Sequence, residues 1–83
     1  MSETAHDPSV QLVRMANDIA NYFHAEGDRN AAIEGVVGHI RRFWEPRMRK
    51  KILAYLAEHN GEGLNELALA AIAKLAESQQ AAV

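Results

Sequence analysis

Apolar residues recur at helical spacing along most of this chain, and the pattern is broken at three places: Gly27-Asp28, Pro46 and Asn60-Gly61-Glu62-Gly63. No stretch shows the strict alternation of a half-buried strand. Glycine followed by a capping residue ends one helix and opens the next. Pro46 disfavours helical backbone at Glu45 yet suits the first position of a new helix. The four-residue polar turn separates the last two segments on composition alone. The fold expected is therefore all-α: a small bundle of three to four helices joined by short loops, with a helix break at Pro46.

The stripes name the core. Asp7-Pro8 opens the first helix, with Asp7 as cap and Pro8 as first residue, and Leu12, Met15, Ala16, Ile19 and Phe23 share one face. Asp28 caps the second helix, which carries Ile33, Val36, Val37, Ile40, Phe43 and Trp44. Gly35 and Gly38 lie inside it, where each costs up to about 1 kcal/mol relative to alanine; close approach by a neighbouring helix is the simplest explanation. The third helix runs from Pro46 to about Glu58 with Met48, Ile52, Tyr55 and Leu56 inward. Asn65 caps a fourth, whose stripe is Leu64, Leu67, Ala68, Ala71, Ile72 and Leu75. Leu69, Ala73 and Ala76 widen that stripe around most of the helix, which predicts burial on many sides, within the bundle or against another protein. Residues 8–78 form one helical domain, between a flexible 1–7 and a frayed 79–83.

Eighty-three residues make a marginal core, and chains of this size often draw stability from disulfides, metals or partners. There is no cysteine, which excludes disulfides, thiolate metal sites and cysteine nucleophiles. The N-terminus has neither the basic nor the apolar region of a signal peptide. The longest apolar run, residues 67–73, is far shorter than the roughly 20 residues needed to cross a bilayer. A cytoplasmic location is expected, without membrane association.

Catalytic chemistry is not recognisable. His6, His24, His39 and His59 are separated by 18, 15 and 20 residues, so no two face one metal from one helix turn. Gly61 and Gly63 lack the lysine and hydroxyl residue of a phosphate loop, and no pair of carboxylates can be placed together. No catalytic, cofactor-binding or metal-binding residues are assigned.

The remaining signal is charge. Residues 39–51 hold six of the nine basic residues and the single tryptophan; six cations less Glu45 give +5, while three cations against ten acids leave the rest of the chain at −7. Arg41 and Arg42 suit the negative end of the second helix. Arg47, Arg49, Lys50 and Lys51 fall in the first turns of the third helix, where the dipole disfavours cations, so acids on this chain, or acids or phosphates on a partner, should offset them. Trp44 is of the type found both in cores and at interface hot spots.

Two blocks carry a resemblance. Leu12-Val13-Arg14-Met15-Ala16-Asn17-Asp18-Ile19-Ala20 with Tyr22-Phe23 is one, and His39-Ile40-Arg41-Arg42-Phe43-Trp44-Glu45-Pro46-Arg47-Met48-Arg49 the other. With Gly61-Glu62-Gly63-Leu64 they resemble the delta subunit of soluble NAD-dependent formate dehydrogenase over roughly residues 10–72. The family usually has aspartate where this chain has Glu45, a poorer helix cap of the same charge. The resemblance implies an accessory subunit of a cytoplasmic molybdenum or tungsten enzyme. In such a complex the alpha subunit oxidises formate at a molybdopterin site, and iron–sulfur and flavin subunits pass electrons to NAD. It implies no cofactor in this chain.

The expected role is docking on the catalytic alpha subunit, supporting complex stability or molybdenum-cofactor insertion. Arg41, Arg42, Phe43, Trp44, Arg47, Met48 and Arg49 are the candidate partner-binding residues. A self-associating helical adaptor, homodimeric when isolated, is the alternative. Nucleic-acid binding through the basic stretch is disfavoured by the net charge of −2 and by the apolar face of the third helix.

Overall fold

The computed structural model describes residues 8–81, with side chains as far as Ser78. Four helices follow one another: α1 (Pro8–Phe23), α2 (Arg29–Phe43), α3 (Pro46–His59) and α4 (Glu66–Ala81). The described residues contain no strand. The cap Asp7 and the flexibility of segment 1–7 are expectations that lie outside the described residues.

Each junction has a local cause. After Phe23 the chain tightens into one 3₁₀ turn, His24–Glu26, and ends at Gly27 with φ +86°. A side chain is rarely tolerated in that left-handed region. Asp28 then accepts a 3.1 Å hydrogen bond from the Asn30 backbone N–H and opens α2. Pro46 is the first residue of α3, and Glu45 before it is extended (φ −66°, ψ 154°) and makes no side-chain cap. Asn60 takes a left-handed conformation after α3 (φ 57°), as helix ends often require. Asn65 Oδ1 accepts from the Ala68 N–H at 2.8 Å and caps α4.

The last turn is held from a distance. Asn17 in α1 donates from Nδ2 to the Gly63 carbonyl at 2.9 Å and accepts the Asn65 N–H on Oδ1 at 2.8 Å. Tyr55 adds a hydroxyl bond to the Glu62 carbonyl at 2.6 Å. Two polar side chains thus satisfy a loop that has few backbone partners of its own.

Helix α4 packs against each of the other three, most extensively against α2. Its Ala68, Ala71, Ile72 and Leu75 are fully enclosed, and Leu69, Ala73 and Ala76 are half-buried. The wide apolar girth of α4 is therefore largely spent within the bundle, and it adds nothing to the exposed large apolar side chains among the described residues, which are Val10, Tyr22 and Phe43. On α1 the buried line is Leu12, Val13, Ala16 and Ala20, while Met15, Ile19 and Phe23 pack at its margin. Alanine at the centre lets the neighbouring helices approach, and the bulkier residues seal the edges.

Candidate docking surface

The α2–α3 corner is built around Trp44. Helix α2 ends at Phe43, and Trp44 turns extended (ψ 136°) while its N–H still bonds to the Ile40 carbonyl at 3.0 Å. That turn swings the indole into the core, where Trp44 is 4% exposed, and leaves Phe43 outside at 68%. Both had been expected on the inward stripe. Phe43 instead sits on the flank of α2 that faces α1, against His39 with ring centroids 4.8 Å apart and planes tilted by 45°.

Arg49 closes the corner from α3. Its guanidinium donates to the Trp44 carbonyl and, at 3.4 Å, to the Arg41 carbonyl. A helix leaves its last carbonyls without intrahelical donors, and a cation suits that end of the dipole. The cation misplaced at the start of α3 is thus well placed at the end of α2. The offset comes from backbone carbonyls across the proline break, and not from the carboxylates or phosphates that the sequence suggests. Arg49→Met should lower stability by about 1–2 kcal/mol through loss of charged hydrogen bonds, read as a lower denaturant midpoint at an unchanged slope.

The other cations divide. Arg41 donates to the Ser78 hydroxyl on α4. Arg29 pairs with Glu66, and Lys74 with Glu34 at 2.8 Å. The hydrogen bond and charge of Glu34 raise the Lys74 pKa above its ordinary value. Among the described residues no ion pair involves Arg42, Arg47, Lys50 or Lys51.

Two of the hollows near the corner involve residues of α1. The larger is a groove of about 760 Å³ between α1 and α2, lined by Ile19, Tyr22, Phe23, Gly35, Gly38, His39, Arg42 and Phe43, with Asp18 and Glu34. Tyr22 is 77% exposed and meets Phe23 edge-on at 5.0 Å. The two glycines differ here. A Cβ on Gly35 would stand 2.5 and 2.6 Å from two ring carbons of Phe23, so glycine admits that ring against the backbone. A Cβ on Gly38 would meet nothing within 4 Å, so the close approach expected there is absent and the position is simply open. The smaller hollow, about 270 Å³, lies on the other side, lined by Pro8, Gln11, Leu12, Met15, Arg47, Met48 and Lys51.

The seven residues singled out from sequence therefore do not form one patch. Arg42 and Phe43 face the groove, Arg47 and Met48 the second hollow, Trp44 the core, and Arg41 and Arg49 bond within the chain. Tyr22, Ile19 and Gly38 complete the groove and were not foreseen as site residues. The adjacent Tyr22-Phe23 pair was the available signal, since two neighbouring large aromatics on a helix cannot both face one core.

Among the described residues no three His, Cys, Asp or Glu side chains gather as metal ligands, and no helix is long and apolar enough to cross a membrane. No curated protein and no solved structure matches the chain significantly. A family does: residues 11–72 match the NADH-dependent formate dehydrogenase delta subunit, FdsD, a span that takes in both faces of the corner, and the chain belongs to that family.

Proposed function

We propose that this protein is a non-catalytic subunit that docks on the catalytic alpha subunit of a cytoplasmic formate dehydrogenase complex and supports its assembly. Docking involves the α2–α3 corner. Arg42 and Phe43 make contact beside Tyr22, Arg47 and Met48 extend the contact past Pro46, and Trp44, Arg41 and Arg49 hold the corner in shape. Help in seating the molybdenum cofactor belongs to the same role, since a subunit bound to the catalytic chain can favour its cofactor-accepting conformation.

One observation carries this reading: in a chain of this family, two large aromatics are exposed on one groove beside an arginine that has no ion-pair partner among the described residues. Aromatics and arginine are the types that dominate interface energetics. Leaving such rings in water gains nothing for an isolated domain.

The test is co-purification with a tagged alpha subunit in cells expressing both at normal levels. Wild-type chain should be retained, and its loss from the complex sinks the proposal. Phe43→Ala should weaken association by about tenfold or more, while the melting temperature of the isolated chain shifts little because the ring is mostly exposed. Retention of Phe43→Ala at wild-type affinity would remove the groove from the interface.

A further inference from the structure

Arg47, Lys50 and Lys51 stand at i, i+3 and i+4 in the first two turns of α3, on one exposed side of the helix. Their placement is unfavourable twice over. Like charges at this spacing repel, and all three lie towards the positive end of the helix dipole. Arg49, in the same turns, is offset by the α2 carbonyls. Among the described residues, the acid at hand for the other three is Glu45, which lines a shallow hollow with Arg47 and Lys50 and forms no ion pair with them. Arg29 and Lys74 show that this chain pairs cations with carboxylates elsewhere.

We infer that Arg47, Lys50 and Lys51 form a recognition ridge for a carboxylate-rich patch on a protein partner. The ridge is about one helical turn long, which suits a compact cluster of acids. It does not suit a polyanion, because the remainder of the chain carries −7 and would repel a long phosphate backbone. Its position beside Met48 continues the docking surface past Pro46, so the identity of the partner rests on the docking reading above. The chemistry of the ridge does not. Charge here acts chiefly on encounter and specificity, with the apolar groove supplying holding energy.

The test uses the triple variant R47Q/K50Q/K51Q, since glutamine keeps nearly the same helix propensity. In the isolated chain at low salt, the melting temperature should rise by about 2–6 °C, because repulsion and the dipole conflict are removed. A fall would mean that the cations are paired within the chain and would overturn the inference. So would a stabilising effect of Glu3 or Asp7, seen as E3Q or D7N lowering the wild-type melting temperature but not that of the triple variant.

Binding to the formate dehydrogenase complex purified without this subunit supplies the second readout. Wild-type affinity should fall about tenfold or more between roughly 50 and 500 mM salt. The triple variant should bind about tenfold more weakly at low salt and converge with wild type at high salt. Equal affinity and equal salt dependence for both would overturn the ridge and leave the docking proposal standing. Should wild type not bind at all, the docking proposal falls. The ridge is then judged by a poly-glutamate peptide, which wild type must retain at low salt and the triple variant must release. Tighter binding to a DNA duplex than to that peptide or the complex would overturn it in favour of nucleic acid.

Discussion

Trp44→Ala should remove about a quarter or more of the protein's stability. Trp44 is 4% exposed and packs in the main core cluster. Removing a buried tryptophan side chain costs about 3–5 kcal/mol, part lost burial and part cavity. A domain of 83 residues has roughly 4–12 kcal/mol in total. The backbone bonds at Trp44, its N–H to Ile40 and its carbonyl to Arg49, survive the substitution, so the loss isolates the side chain. Far-UV circular dichroism through a denaturant titration is the measurement, since the variant has no tryptophan to report by fluorescence. Trp44→Phe, which keeps most of the ring burial, should cost less than half as much. A loss below about 1 kcal/mol for alanine would contradict the core position of the indole. Because Trp44→Ala loosens the corner itself, its failure to co-purify would say nothing about contact; Phe43→Ala is the informative change there.

The second large effect is expected at Gly61→Val. Gly61 is buried in the α3–α4 turn with φ +73°. A β-branched residue in that left-handed conformation is strained by about 1–3 kcal/mol. Space is lacking as well. A Cβ would stand 2.5 Å from Leu69 Cδ1, 3.2 Å from Leu56 Cδ1 and 3.3 Å from Leu64 Cδ1. The nearest atom is the far end of a flexible side chain, but Leu56 and Leu64 crowd the same spot and limit where Leu69 can move. A total of about 2–5 kcal/mol is expected, combining strain with overpacking. Gly61→Ala, with a smaller side chain, should lose about half of that. Chemical denaturation of the pair checks both, and a valine variant as stable as wild type would mean that the turn readily adopts another conformation.

Much of the fold was legible before any coordinates. The helix boundaries at Gly27-Asp28, Pro46 and Asn60-Gly61-Glu62-Gly63 follow from local backbone chemistry, as do the Asp28 and Asn65 caps. These signals act over a few residues, so neighbouring sequence contains them in full. The role of Asn17 was not legible, because an asparagine on a helix surface has no feature that announces a bond to a loop 46 residues away. Nor was that of Arg49. Its acceptors are main-chain carbonyls, which every residue possesses, so no side-chain pattern marks them.

The docking surface shows the same division. Charge, the single tryptophan and the family motif point to residues 39–51, and at that corner a groove lies beside basic side chains that form no ion pair among the described residues. Which aromatic faces out could not be read from spacing. Phe43 and Trp44 are adjacent, about 100° apart around a helix, and either could have joined the core. The chain leaves helical geometry at Trp44, and that single turn decides it.

By itself, then, the amino-acid sequence determined an all-α bundle of three to four helices, its breaks, most of the core and the family, since each depends on local propensity, on the period of apolar residues or on a contiguous motif. Only the tertiary structure decided which flank of α2 stays open, where α4 spends its apolar girth, and which cations find partners. Periodicity fixes the direction of a side chain about its own helix axis. Exposure depends on where the other helices lie, and that is set by packing all of them at once.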